Sequence, residues 1–349
     1  MDMKKLTAQE IVDDMRIGWN LGNSLESPAP EKPAVTLCDY ETSWNNPVTT
    51  KAMTDNVIRA GFNTIRIPVT WEKLMGSEPD YTINQEWMDR VQEVVDYAYN
   101  EGVYVIIDLH HEDDWLYLGD KEVEERAKKI IRKLWLQIAE RFKRYDYHLI
   151  FETMNETRLI GTEDEWTPGT EQARKVINEF NLVAVKAIRD TKGNNSSRII
   201  MIKTIGARYN EEAIKDIVVP ENDDRIVLAV HVYVPYEFCM VAHRDEYWGT
   251  KEDKKEISRI INDIANAAKE KGIPAIIGEF GTIDKKNEDV RVNYIRHFLT
   301  EAKRRGITCI AWDNNISYDE IDSLSYGLFN RNQLSWRFPK ILEALTDNY

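Results

Sequence analysis

The sequence predicts an α/β protein, a closed (β/α)8 TIM barrel formed as a single domain over residues 1–349. Three observations carry this. Eight short runs of apolar, largely β-branched residues recur along the chain, separated by longer stretches with apolar positions at three-to-four spacing. Strands interleaved with helices imply a parallel sheet, and eight is the number that closes the barrel. No low-complexity segment or linker divides the chain. A doubly wound sheet would instead carry a glycine-rich phosphate loop after its first strand. Gly18-Trp19-Asn20-Leu21-Gly22 has neither that spacing nor a helix directly after it.

In chain order, the first strand is expected at 16–21 (RIGWNL). A loop over 22–48 follows, rich in Pro, Ser, Asn and Asp, of a length that is usually functional or disordered. The second strand is 63–69, and a helix over 84–101 shows its stripe at Trp87, Val91, Val94, Val95 and Ala98. The third strand (103–109), a helix (121–144), the fourth strand (148–154) and a helix (170–190) come next. The second half repeats the pattern with strands at 198–203, 226–233, 274–280 and 307–313 and helices at 252–271, 287–305 and 336–346. Gly102, Gly272 and Gly306 stand between a helix and a strand, where glycine ends helices.

A barrel of this kind places its site at the C-terminal strand ends. Polar residues gather there: Asn20, Arg66, His110, Asn155 with Glu156, His231 with Tyr233, and Glu279, beside the aromatic Trp312. On the sixth strand Leu228, Val230 and Val232 share the face expected to meet helices, which turns His231 and Tyr233 into the barrel mouth. Glu156 and Glu279 end the fourth and seventh strands, and two carboxylates are the minimum for cleaving a glycosidic bond. Glu152 shares the face of Glu156 and reads as a buried structural carboxylate paired with a cation.

Composition narrows the partners. The net charge of −14 argues against nucleic acid and anionic membranes, since phosphate binding needs clustered Lys and Arg. Three cysteines are too few and scattered for a disulfide framework or a zinc site, and no stretch approaches 18 apolar residues. Adjacent His110 and His111 would face opposite ways on a continuing strand, and there is no His-x-His pair or His-Glu-x-x-His helix. No metal and no cofactor are expected, and the chain is expected to act as a monomer. The first ten residues lack the apolar core of a signal peptide, so the protein either stays cytoplasmic or is secreted or held at the cell surface with a leader outside this sequence. Secretion is the preferred reading. Most of the ten tryptophans belong to the core, but Trp44, Trp115, Trp166 and Trp248 fall in strand-to-helix loops, where one or two should line a sugar groove.

The chain resembles glycoside hydrolase family 5, and within it the subfamily 4 endoglucanases. Gly18-Trp-Asn-Leu-Gly-Asn23, Thr64-Ile-Arg-Ile-Pro-Val69, Leu109-His-His111, Phe151-Glu-Thr-Met-Asn-Glu156, His231-Val-Tyr233, Ile277-Gly-Glu-Phe-Gly281 and Ala311-Trp-Asp-Asn-Asn315 follow in the expected order over nearly the whole chain. The resemblance implies a retaining mechanism with Glu156 as acid/base and Glu279 as nucleophile, whose carboxyl groups should lie about 5–5.5 Å apart. Arg66 and Tyr233 would align Glu279, Asn155 would bind the sugar 2-hydroxyl, and His231 would position the glutamates. Asn20, Glu26, His110, His111 and Trp312 are the substrate-binding candidates, with Trp312 as floor under the ring being cleaved. Glu26 has a competing reading as a solvated loop carboxylate.

Two departures stand out. Thr157 replaces the proline usual after the acid/base glutamate, which loosens the expected loop and creates an N-glycosylation pattern, Asn155-Glu-Thr157. Tyr236 stands where relatives often have Trp. The implied activity is that of an endo-β-1,4-glucanase acting on β-glucan polysaccharide or oligosaccharide, with xyloglucanase, lichenase or mannanase as alternatives. An inactive carbohydrate-binding barrel is the non-enzymatic rival.

Overall fold

The computed structural model describes residues 3, 5–30, 34–244 and 246–347. Residues 1, 2, 4, 348 and 349 of the expected domain, 31–33 of its long first loop, and 245 lie outside the described set. A short helix, α1 (Ala8–Asp14), opens with a capping box: Thr7 and Glu10 satisfy each other's backbone amides. The strands are β1 (Ile17–Asn20), β2 (Thr64–Ile67), β3 (Tyr104–Asp108), β4 (Leu149–Glu152), β5 (Ile200–Lys203), β6 (Ile226–Val232), β7 (Ala275–Phe280) and β8 (Thr308–Ala311). Each pairs in parallel with its sequence neighbour, and β1 pairs with β8 through Gly18↔Ile310, so the barrel closes.

All eight expected strands are present, each shorter at one or both ends than the apolar run that announced it. Between β1 and β2 lie α2 (Leu37–Glu41) and α3 (Lys51–Arg59), and α4 (Gln85–Tyr99) leads into β3. Then come α5 (Lys121–Phe142), α6 (Glu171–Asp190), α7 (Glu211–Lys215), α8 (Tyr236–Met240), α9 (Lys251–Glu270), α10 (Glu288–Lys303) and α11 (Pro339–Thr346). The six expected helices are here. Of the others, α2, α7 and α8 span five residues each, too few turns to display a stripe. The loop after β1 is anchored: Arg90 of α4 holds the Glu41 carboxylate with two bonds of 3.0 Å.

Strand alternation splits the core in two. Outward residues such as Ile65, Ile107, Phe151, Leu228, Val230 and Ile277 meet the helices. Inward residues Ile106, Ile150, Met201, Ala229, Ile276 and Ile310 fill the barrel, and Ile11, Val12 and Met15 from α1 close its base. Gly18 belongs to this inner layer, because a Cβ there would stand 2.8 Å from Ile310 Cγ2. One alternation further up, the inward positions turn polar: Asn20, Arg66, Asp108, Glu152, Lys203 and His231 are all buried.

Candidate active site

Arg66 organises the polar layer. Its guanidinium carries five N–H donors in a fixed fork. Nε donates to Glu152 Oε2 (2.6 Å), Nη1 to Asn20 Oδ1 (3.0 Å) and Glu279 Oε1 (2.8 Å), and Nη2 to Asp108 Oδ2 (2.7 Å) and Asn155 Oδ1 (2.8 Å). Burial alone would weaken its hold on a proton, but the carboxylates of Glu152, Asp108 and Glu279 more than offset this. Asp108 also receives the Val69 amide at 3.0 Å and faces His110 Nδ1 at 2.8 Å. Burial, with Arg66 nearby, keeps His110 well below the usual imidazole range and therefore neutral.

Glu152 is the buried, cation-paired carboxylate that its strand face suggested. Lys203 Nζ donates to its second oxygen at 2.7 Å. Burial raises its pKa, yet Arg66 and Lys203 outweigh that and hold it below the ordinary value. The same Lys203 Nζ lies 2.8 Å from His231 Nε2, and His231 Nδ1 lies 2.6 Å from Glu156 Oε1. Glu279 accepts on both oxygens, from Arg66 and from the Tyr233 hydroxyl at 2.9 Å. Burial and the adjacent Glu279 hold the Tyr233 phenol protonated, so it is the donor. Burial raises Glu156, and Lys203 and Arg158 oppose that in part. One oxygen of each glutamate and His231 Nδ1 lie within 4.8 Å of one another.

Glu279 reaches this position through an irregular strand. Ile276 faces inward and Ile277 outward, so simple alternation sends Gly278 in and Glu279 out. The ladder shifts register here: Val230 pairs with Ile277, but His231 pairs with Glu279. Such a bulge re-aims a side chain, and it turns Glu279 into the mouth. Gly278 leaves room beneath, since a Cβ would stand 3.4 Å from His231 Nε2.

The remaining candidates divide. Asn155 uses its amide oxygen on Arg66, which points its NH2 donors away from that bond. It is buried, so a glycan there is incompatible with this packing. His110 stacks parallel to Trp312 with ring centroids 6.2 Å apart, and His111 stands edge-on to His110 at 4.6 Å. The Trp312 ring rests against Gly22, where a Cβ would come within 2.8 Å.

Asn20 requires a correction. It is fully buried, its oxygen serves Arg66, and its amide donates to Gly278 at 3.1 Å and to Ile310 and Ala311, so it ties β1 to β7 and β8 and cannot meet a sugar. Glu26 is not solvated either. The Asn23 and Ser24 amides cap its carboxylate, and burial pushes its pKa up to about 7. It lines a cavity of about 580 Å³ with Tyr40, Trp44, Thr70, Lys73 and His111. His111, edge-on to His110, joins this cavity to the polar layer at the barrel mouth. A cavity of about 610 Å³ at the opposite barrel end, lined by Gln9, Asn262 and Arg305, touches none of these residues.

Of the loop tryptophans, Trp44 lines the groove, Trp115 and Trp248 are buried, and Trp166 is 52% exposed beneath the Arg158 guanidinium. Tyr236 is 61% exposed. The loop after Glu156 is tied down without proline: Thr157 O accepts from Gly206 N at 2.8 Å, and Arg158 Nε reaches Glu165 at 3.0 Å. Asp108 and Lys203 escaped the sequence reading. Alternation from Tyr104 through Ile106 to Asp108, and from Met201 to Lys203, was the signal that could have found them.

The family model for cellulase (glycosyl hydrolase family 5) matches residues 29–317. The cellulase/esterase CelE of Acetivibrio thermocellus is 44% identical over 343 residues, covering 98% of this chain and 40% of that protein. The chain thus spans less than half of that relative's length. A GH5-4 broad specificity endoglucanase from Clostridium acetobutylicum superposes with a TM-score of 0.91 at 43% identity, covering 98% of this chain and 100% of the other. One from Ruminococcus champanellensis, with bound cellotriose, gives 0.93 at 39% identity, covering 99% and 100%. No described helix is long and apolar enough to cross a membrane. The chain belongs to glycosyl hydrolase family 5, and within it resembles the subfamily 4 endoglucanases.

Proposed function

We propose that this chain is a retaining endo-β-1,4-glucanase with Glu279 as nucleophile and Glu156 as acid/base. The observation that carries this is the unequal service given to two carboxylates whose nearest oxygens lie within 4.8 Å. Glu279 takes donors on both oxygens, as an anion does, whereas Glu156 is raised by burial and suited to carry a proton. Retaining enzymes hold the pair about 5–5.5 Å apart, while inverting ones leave about 6.5–9.5 Å for a water between them.

In the first step a Glu279 oxygen bonds to the anomeric carbon as the glycosidic C–O bond breaks, and Glu156 gives its proton to the departing oxygen. In the second, Glu156 takes a proton from water, whose oxygen attacks the same carbon and frees Glu279. Asn155 NH2 is disposed toward the sugar 2-hydroxyl, and Trp312, backed by His110, forms the floor under the ring. The site draws every residue from one chain, so it needs no second copy. The cellotriose held by the Ruminococcus champanellensis relative supports a β-1,4-glucan as substrate. A polymer of that kind lies outside the cell, which favours a secreted or surface-held enzyme.

Reducing-sugar release from carboxymethyl-cellulose, lichenan, xyloglucan and glucomannan, with Glu279→Ala as control, tests the reading and ranks the polymers. Binding without release by the unmutated chain sinks it in favour of a carbohydrate-binding barrel. Proton NMR of the first product anomer tests retention.

A further inference from the structure

The geometry points to Lys203 as a positioning residue for the acid/base: from the end of β5 it fixes the tautomer of His231 and so keeps the acidic proton of Glu156 turned toward the substrate. This rests on Glu156 being the acid/base. Lys203 is fully buried, and its Nζ bridges Glu152 Oε1 at 2.7 Å and His231 Nε2 at 2.8 Å. An ammonium has donors and no acceptor, so His231 Nε2 must accept and the ring proton must sit on Nδ1. Nδ1 is the atom 2.6 Å from Glu156 Oε1. The imidazole therefore donates to that oxygen, and the proton of the acid form has to occupy Oε2.

The alternative shows why this matters. With its proton on Nε2, His231 would turn a lone pair toward Glu156. The protonated glutamate would then donate to the imidazole, and its proton would point at His231 instead of at the glycosidic oxygen. Lys203 forbids that arrangement. Its charge also opposes transfer of the proton onto His231, whose basicity is already depressed by burial. The same Nδ1 proton prevents His231 from joining Glu156 and Glu279 as a metal ligand, although the three atoms lie close enough.

Other charged and titratable groups face this pair from every side. Glu152 on β4, Arg66 on β2 and Glu279 on β7 surround His231, with Glu279 Oε2 3.6 Å from Nδ1. Arg158 and His111 act on Glu156 from the loops after β4 and β3, and Tyr233 stands beside Glu279. Arg66 is committed to five acceptors and cannot reach His231 Nε2. Among the described residues, Lys203 is the one that donates to that nitrogen.

Two measurements test this. In the unmutated protein with ring-15N histidine, long-range 1H–15N spectra, assigned by loss of the signal in His231→Gln, should show His231 as the Nδ1–H tautomer. Finding the Nε2–H tautomer overturns the proposal. Separately, Lys203→Met should lower kcat/KM about tenfold or more on cellotetraose, whose poor leaving group needs the acid, within the range general-acid catalysis supplies. On 2,4-dinitrophenyl β-cellobioside, whose leaving group needs no proton, the loss should stay within about threefold. The alkaline limb for cellotetraose should move to higher pH, because a cation near Glu156 is gone. Equal losses on both substrates, or an unmoved limb, mean a merely structural role and overturn it. Lys203→Met also strands Glu152, so Lys203→Met/Glu152→Gln, which removes that orphan charge, is the variant to read if the single one fails to fold. If Glu156→Ala spares cellotetraose cleavage, the acid/base assignment itself fails, whatever Lys203 shows.

Discussion

Arg66→Lys is a severe test of how this barrel is held together, because it keeps the charge and changes only its geometry. The guanidinium makes five hydrogen bonds of 2.6–3.0 Å in a fully buried setting. An ammonium has three donors radiating from one atom and cannot span Glu152, Asp108 and Glu279 together. At least two bonds are lost, and those to charged groups contribute about 1.5–3 kcal/mol each. The expected loss is about 3–6 kcal/mol, overlapping the about 3–5 kcal/mol seen on breaking a buried ion pair. Against a total stability of about 5–15 kcal/mol this is a large fraction. Urea unfolding followed by tryptophan fluorescence reads it as a lowered midpoint at an unchanged slope. The kcat should fall with it, since Glu279 loses its fixed partner. A midpoint shift equivalent to less than about 1 kcal/mol would refute the reasoning: donor geometry would then not be what organises the layer.

Other expectations follow from the same contacts. Glu279→Ala should reduce kcat to below about one thousandth, as removal of a covalent nucleophile does, read by reducing-sugar release. Glu156→Gln should cost about 10²–10⁴ in kcat/KM on oligosaccharides and far less on dinitrophenyl glycosides. Because burial raises Glu156 above its ordinary 4.5 and activity needs its acid form, the wild-type rate is lost as pH rises through that raised pKa, and the substitution should abolish this limb. Glu26 binds its proton more tightly folded (about 7) than unfolded (4.5), so its contribution is present below 4.5 and lost as pH rises through about 7. The stability gap between wild type and Glu26→Gln should therefore narrow from pH 5 to pH 8, by up to about 3 kcal/mol. Gly18→Ala should cost about 1–3 kcal/mol by overpacking against Ile310, and Ile310→Ala should recover part of it in a double-mutant cycle.

The barrel was legible because its signals are local. Apolar runs such as 103–109 and stripes such as Trp87 to Ala98 announce strands and helices from a few residues each. Helices α2, α7 and α8 span five residues each and left no such trace. The site was partly legible for the same reason. A polar residue at a strand end is visible in sequence, but its partner is not. Asn20 and Arg66 both read as site residues, yet Asn20 spends every hydrogen bond inside the barrel. Glu26 lies in a loop that reads as solvated, and only the fold of residues 23–26 shows two amides closing on its carboxylate.

By itself, the sequence determined eight parallel strands in order, and two glutamates at the ends of the fourth and seventh. Only the tertiary structure decided what those glutamates meet. The register shift between β6 and β7 turns Glu279 inward against its strand's alternation, and closure of β5 beside β6 brings Lys203 to His231 and so bears on Glu156. Side-chain periodicity belongs to one strand, whereas hydrogen-bond partnership depends on the register between strands distant in the chain, which no local pattern encodes.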